Sequence, residues 1–209
     1  MKKGEATRLH IINNAKKLFF EYGYCKTSLQ MIADRSGISK SLVKYYFSQK
    51  SQVSNIIVSQ YLRQIYDYVL SVVKNDPLLA YMLSMKLYYT NIRKEPEAYR
   101  FNVETMTLFD INANGTIDEM YRAIIEQFNI TMNEKIYKVR KAQIIGAHSY
   151  IVSMLDGEIL ELNPREHFDS ALFAACALLG VSSFSYTIYL ERMYTMYQTL
   201  PQKEFHMLN

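Results

Sequence analysis

The sequence predicts an all-α protein: an N-terminal three-helix head with a helix-turn-helix, then a C-terminal helical bundle, about nine or ten helices in all. Three observations predict it. Apolar residues recur at three- and four-residue spacing along most of the chain, and no alternating strand pattern of useful length interrupts them. Only 7 Gly and 4 Pro occur in 209 residues, so turns are few and helices long. Charge is also segregated: residues 1–50 carry a net +7, and with a total of +4 the remainder carries −3. A basic segment on a mildly acidic body fits a nucleic-acid-binding head on a regulatory part, expected here as domains 1–50 and 51–209.

The first helix is expected from about Glu5 to Tyr22, with Ile11, Ile12, Ala15, Leu18 and Phe19 on one face, ending at Gly23. The second starts at Thr27, read as its cap, with Gln30 completing a capping box. Leu29, Ile32 and Ala33 mark its apolar face. Ser36-Gly37 ends it, because Gly takes left-handed angles without a Cβ clash. Ser39 caps a third, short helix that buries Leu42, Val43, Tyr46 and Phe47. Its other side shows Lys40, Ser41, Lys44 and Tyr45. A helix of two turns is marginal alone, so packing must hold it. A short, basic, firmly held helix after a glycine turn is the pattern of a recognition helix.

Ser48 is expected to cap a long fourth helix through Val53, Ile57, Tyr61, Ile65 and Val73, with Lys50 in its first turn. A cation is unfavourable there unless a phosphate binds at the helix N-terminus. Asp76-Pro77 starts the next helix and Pro96 another, ending near Asp110. Asn112 to Gly115 is a turn. Helices follow over Ile117–Phe128 and from about Asn133 to Leu155. Asn163-Pro164-Arg165-Glu166 supplies a cap, a first-turn proline and an acidic third position. The last helical stretch reaches about Thr199, with a break near Gly180 left open.

Ser170 to Leu190 lacks charge over 21 positions, long enough for a membrane span. Its serines and small residues (Ala171, Ala174, Ala175, Ala177) favour burial in a helical bundle, and no membrane association is expected. Hydrophobic content of 49% with 21% charged describes an ordered globular chain. The cysteines, Cys25 and Cys176, form no disulfide framework or metal spacing and are expected as free thiols in a reducing cytoplasm. No nucleophile elbow, phosphate loop or zinc motif is present, so the chain is not expected to be an enzyme, and no catalytic residue, metal or cofactor is assigned.

The run Ile12, Ala15, Leu18, Phe19, Gly23, Thr27, Ser28, Ile32, Ala33, Gly37, Ser39, Lys40, Val43, Tyr46, Phe47 and Lys50 resembles the tetracycline-repressor (TetR) family of bacterial transcriptional regulators. The match covers about the first quarter of the chain, and the rest of such proteins diverges. Lys44 stands where the family usually has Tyr, Ser41 where Gly or Ala is common, and Ser51-Gln52 where acidic residues are usual. The resemblance implies a cytoplasmic homodimer on a palindromic double-stranded DNA operator. It also implies a dimer interface in which the Ala142–Leu155 helix and the Ser170–Leu190 segment meet the same pair of a second subunit.

Phosphate contacts are expected from Thr27, Ser28, Tyr45 or Tyr46, and Lys50, beside the cap Ser39. Base-edge contacts are expected from Lys40, Ser41 and Lys44. Lys44 suits a guanine edge or a phosphate, and Tyr46 divides between core and hydroxyl contact. Tyr88, Tyr89, Phe109, Tyr121 and Tyr150 are the candidates for a cavity taking an apolar or aromatic effector. Such residues at helical spacing are also ordinary core. His148, in an apolar run, reads more simply as a satisfied core histidine. The function expected is a repressor released by such a ligand; the alternative is control by a protein partner, with no small-molecule pocket.

Overall fold

The structure is a computed structural model and describes residues 3–108, 115–156, 161–201 and 203–207. The all-α expectation holds. Among the described residues ten α-helices follow in order: α1 (Lys3–Tyr22), α2 (Leu29–Ser36), α3 (Lys40–Tyr46), α4 (Lys50–Val72), α5 (Pro77–Ile92), α6 (Pro96–Thr105), α7 (Thr116–Gln127), α8 (Glu134–Asp156), α9 (Pro164–Leu179) and α10 (Ser183–Thr199). A short 3-10 turn, Met106–Leu108, follows α6. The expected Asn112–Gly115 turn, apart from Gly115, lies outside the described residues.

Local chemistry explains most helix ends. Asp76 Oδ1 accepts from Leu79 N–H at 3.4 Å ahead of α5, which opens on Pro77. Asn133 Oδ1 accepts from Ile136 N–H at 2.9 Å at the start of α8. Asn163 and Glu166 form the expected reciprocal capping box on α9. The uncharged run is two helices, because Gly180 at φ 97° ends α9 in the left-handed region and Ser182 caps α10. Among the described residues, no helix is long and apolar enough to cross a membrane.

Two caps differ from expectation. Ser28, not Thr27, caps α2, accepting from Met31 N–H at 3.2 Å. Thr27 is buried, and its hydroxyl donates to Gly23 O at 2.7 Å and Leu18 O at 3.3 Å, so it faces away from the helix end. Gln30 therefore completes no box and bonds Asp34 instead, at 2.7 Å. Before α4, the Ser48 hydroxyl bonds the Gln52 side chain at 3.3 Å.

The chain packs as two compact units. One comprises Met1–Tyr61, Ile92–Phe109 and His206–Asn209. The other comprises Leu62–Asn91 and Asp110–Phe205. In the first, Ile11, Ile12, Ala15, Leu18 and Phe19 of α1 meet Ile32 and Ala33 of α2, and Val43 and Phe47 close the far side. Sequence order sets α6 among residues 51–209; in space it joins this unit. Its Phe101 is fully buried and stacks on Phe19 at 5.5 Å and on Phe20 at 6.1 Å.

In the second unit, α8 packs on α9, and α9 on α7 and α10. The core holds Met82, Leu83, Met120, Ile124, Cys176, Leu179 and Met193. One ionic knot lies inside it. Asp118 Oδ1 accepts from Lys141 Nζ at 2.8 Å and Tyr137 Oη at 2.7 Å, and Oδ2 from Arg122 Nε at 2.9 Å. Burial works to raise the Asp118 pKa, but the hydrogen bonds from Lys141, Tyr137 and Arg122 outweigh it and hold the carboxylate ionised. A buried charge with this many partners is tolerated, and loss of one partner would be costly.

Candidate nucleic-acid interface

The turn and the cap that start α3 are local. Gly37 adopts φ 65°, and its N–H reaches the carbonyls at the end of α2. Ser39 Oγ accepts from Leu42 N–H at 3.2 Å and lies 2.9 Å from Ser41 Oγ. Seven residues of helix follow, with Val43 fully buried beneath them. From α1, His10 Nε2 lies 3.1 Å from Ser36 O, and the Arg8 guanidinium sits 5.2 Å from the Phe47 ring centre. A helix this short is thus held by its neighbours.

The outer face of α3 shows what the sequence analysis expected. Lys40, Ser41 and Lys44 are exposed. Tyr45 is 81% exposed and packs edge-on against Tyr46 at 5.3 Å. Tyr46 is half-buried, and Ser28 and Ser39 are exposed at the two helix starts. Leu42, expected on the buried side, is partly exposed. Two expected phosphate residues point inward instead. Thr27 bonds within the loop before α2, as above. The Lys50 ammonium donates to Tyr24 O at 2.6 Å and Thr27 O at 2.8 Å, and lies 4.1 Å from the Tyr24 ring centre.

The aromatic candidates of the body do not form one group. Tyr88 and Tyr89 touch at 6.0 Å between ring centres. Tyr121 is buried against Tyr81 at 5.6 Å, and burial raises both hydroxyl pKa values. Tyr150 is 63% exposed, and Phe109 lies outside the described residues. The structure adds residues that the sequence analysis did not group. Tyr89 meets His148, His167 and Phe168, at 5.4, 5.9 and 5.5 Å between ring centres. The two imidazoles stack at 5.4 Å. Their separation in sequence, on α8 and α9, leaves no spacing by which to find them. A shallow surface cavity of about 290 Å³ lies between α7 and the start of α8, lined by Arg122, Ile125, Ile130, Met132 and Tyr137 among others. Among the described residues, no group of three or more His, Cys, Asp or Glu side chains is placed to hold a metal ion.

A tight turn at Gly37 followed by a capped cationic helix on the surface makes α2 and α3 a helix-turn-helix, followed by a helical body. Residues 11–54 match the family model for bacterial regulatory proteins of the tetR family. Over the whole chain the fold is similar to that of RolR in complex with resorcinol, with a TM-score of 0.62 at 14% identity over 98% of this chain and 99% of that one. RolR without ligand gives 0.57 at 13% identity, over 95% and 100%. A TetR transcriptional regulator from Rhodococcus sp. RHA1 gives 0.55 at 14%, over 84% and 97%. At these identities the likeness is one of fold. No curated protein matches the chain. The family match covers the segment that carries α2 and α3.

Proposed function

We propose that the protein is a homodimeric repressor that binds a palindromic DNA operator and is released by a small apolar or aromatic ligand. The carrying observation is the exposed Lys40–Ser41–Lys44 face of α3, held on a packed head. Lys40, Ser41 and Lys44 read base edges, since the first turns of a recognition helix meet the major groove. Ser28, Ser39, Tyr45 and the Tyr46 hydroxyl position the phosphate backbone. Residues 1–50 then supply the DNA contacts, and residues 51–209 supply sensing and dimerisation. A DNA partner places the protein in the cytoplasm.

Dimerisation is supported by large apolar side chains left exposed on α8, α9 and α10: Val139, Tyr150, Phe173, Phe184 and Ile188. The ligand reading is supported by the Tyr88–Tyr89 pair with its histidines and by the aromatic molecule bound to RolR, which shares the fold. A second reading, control by a protein partner, is favoured by the packed Tyr81–Tyr121 pair and the outward Tyr150. Thermal shift with a panel of small phenols and lipophiles separates the two: stabilisation supports the ligand, and none across the panel supports the partner.

The DNA reading is tested by selecting binding sites from a random duplex library. Wild-type protein should enrich a two-fold symmetric motif. Lys44→Ala should relax one base position per half-site, at a discrimination cost of about 1–3 kcal/mol. An unchanged motif removes Lys44 from base reading, and no enrichment by the wild type removes the DNA reading itself.

A further inference from the structure

The connection from α1 to α2 is gripped from two sides. Gly23 turns the chain out of α1 at φ 89°. From one side Glu104, on α6 of the same unit, accepts from the backbone N–H of Tyr24 at 2.5 Å and of Cys25 at 3.1 Å. From the other, Lys50 at the start of α4 donates to the carbonyls of Tyr24 at 2.6 Å and Thr27 at 2.8 Å, with that of Cys25 at 3.5 Å. An anion thus takes the donors of the loop, and a cation takes its acceptors. The ammonium has three protons, and the three carbonyls match that number.

The loop is shaped to admit the carboxylate. A Cβ at Gly23 would lie 3.1 Å from Glu104 Oε1 and 3.3 Å from Oε2, inside ordinary contact distance. Arg100, one helical turn before Glu104, donates to Phe20 O at 2.5 Å, so α6 binds the end of α1 as well. Charge-assisted hydrogen bonds are short and strong, and a phosphate competing for Lys50 would have to break them.

We propose that Lys50 and Glu104 are positioning residues for DNA binding: together they fix the loop that sets where α2 begins and so where α3 is presented, and Lys50 makes no phosphate contact of its own. α3 is carried on α2 through the Gly37 turn, so a shift of the loop becomes a shift of the reading face. The inference rests on the DNA-binding reading above.

The test measures binding to the duplex selected by the wild type, by anisotropy across a salt series, for Lys50→Met, Lys50→Arg, Glu104→Ala and Glu104→Gln. Lys50→Met should weaken binding roughly tenfold at every salt concentration, the size of one lost charge-assisted hydrogen bond, with the log–log salt slope unchanged. Lys50→Arg should restore part of the loss. Glu104→Ala should also weaken binding with the same slope, and Glu104→Gln should fall between it and the wild type. The Glu104 sign is diagnostic, because deleting a negative charge near DNA tightens binding if electrostatics alone acts. A slope reduced by about 0.9 in Lys50→Met restores the phosphate contact and overturns the inference. Tighter or unchanged binding by Glu104→Ala overturns it too. Amide resonances decide the clamp without DNA: the Tyr24 and Cys25 N–H signals should move upfield in both Glu104 variants, and unmoved signals remove the clamp. If the wild type selects no duplex, the DNA-binding reading fails, and the amide shifts still report on the clamp.

Discussion

His148 is surrounded by rings. The Tyr89 hydroxyl engages its imidazole at Nε2, and His167 stacks in parallel on it. Burial first, and the charge of His167 second, push its pKa down from 6.5 to about 4. The sign of the consequence follows from linkage. Between these two values the unfolded chain binds a proton that the folded protein refuses, so stability falls as pH drops from 6.5 to about 4. The loss is at most about 3 kcal/mol, at 1.36 kcal/mol per unit. Replacing His148→Phe should flatten that limb of a urea-denaturation series in pH, and an equally steep limb would show that His148 does not carry it. The residue reads from sequence as a core histidine; its partners do not, because Tyr89 and His167 are far away along the chain. The same holds for Thr27 and Ser28, adjacent hydroxyls of nearly equal capping power. Which one caps α2 was settled by the burial of Thr27 against the carbonyls of Gly23 and Leu18.

At the scale of elements, two glycines end helices in the left-handed region under different surroundings. A Cβ at Gly37, φ 65°, would meet nothing within 4 Å. A Cβ at Gly180, φ 97°, would lie 3.2 Å from Ile130 Cγ2. Gly37→Ala should therefore cost about 1 kcal/mol of backbone strain. Gly180→Ala should cost about 2 kcal/mol or more, since strain and a core contact combine. Denaturation midpoints of the two variants at constant m-value check the order, and a larger loss at Gly37 would refute the steric account. Element positions were legible because their signals are local: the Asn163–Glu166 box, Pro77, Pro96 and the glycine stops lie within one turn of what they control. The end of α6 was less so. The helix stops at Thr105 rather than near Asp110 and gives way to a 3-10 turn, with no Gly or Pro to mark the place.

For the molecule as a whole, one group of exposed apolar side chains lies on the last three helices. Phe184 is 75% exposed and Tyr150 63%, large values for rings this size in a folded chain. If α8, α9 and α10 form the dimer surface, Phe184→Glu should weaken self-association by roughly a hundredfold, the scale of a central aromatic anchor, at about 2–3 kcal/mol. Sedimentation equilibrium checks it, with a Phe184→Glu dimer as stable as the wild type as the outcome that removes this surface. A monomer made this way should also lose most of its affinity for a two-half-site duplex, because the second recognition helix no longer binds in the same event.

The fold class, the helix-turn-helix and the cationic face of α3 were determined by the sequence by itself. Each is written in neighbours three or four residues apart, through periodicity, caps and turn glycines, and such patterns act whatever the rest of the chain does. Only the tertiary structure decided what α6 packs against, that Lys50 faces the backbone of the loop before α2, and that Tyr121 lies against Tyr81 while Tyr150 stands outside. Those outcomes depend on contacts between residues up to 82 apart, as between Phe19 and Phe101. A long-range contact leaves no spacing to read, because its geometry exists only after the helices have packed.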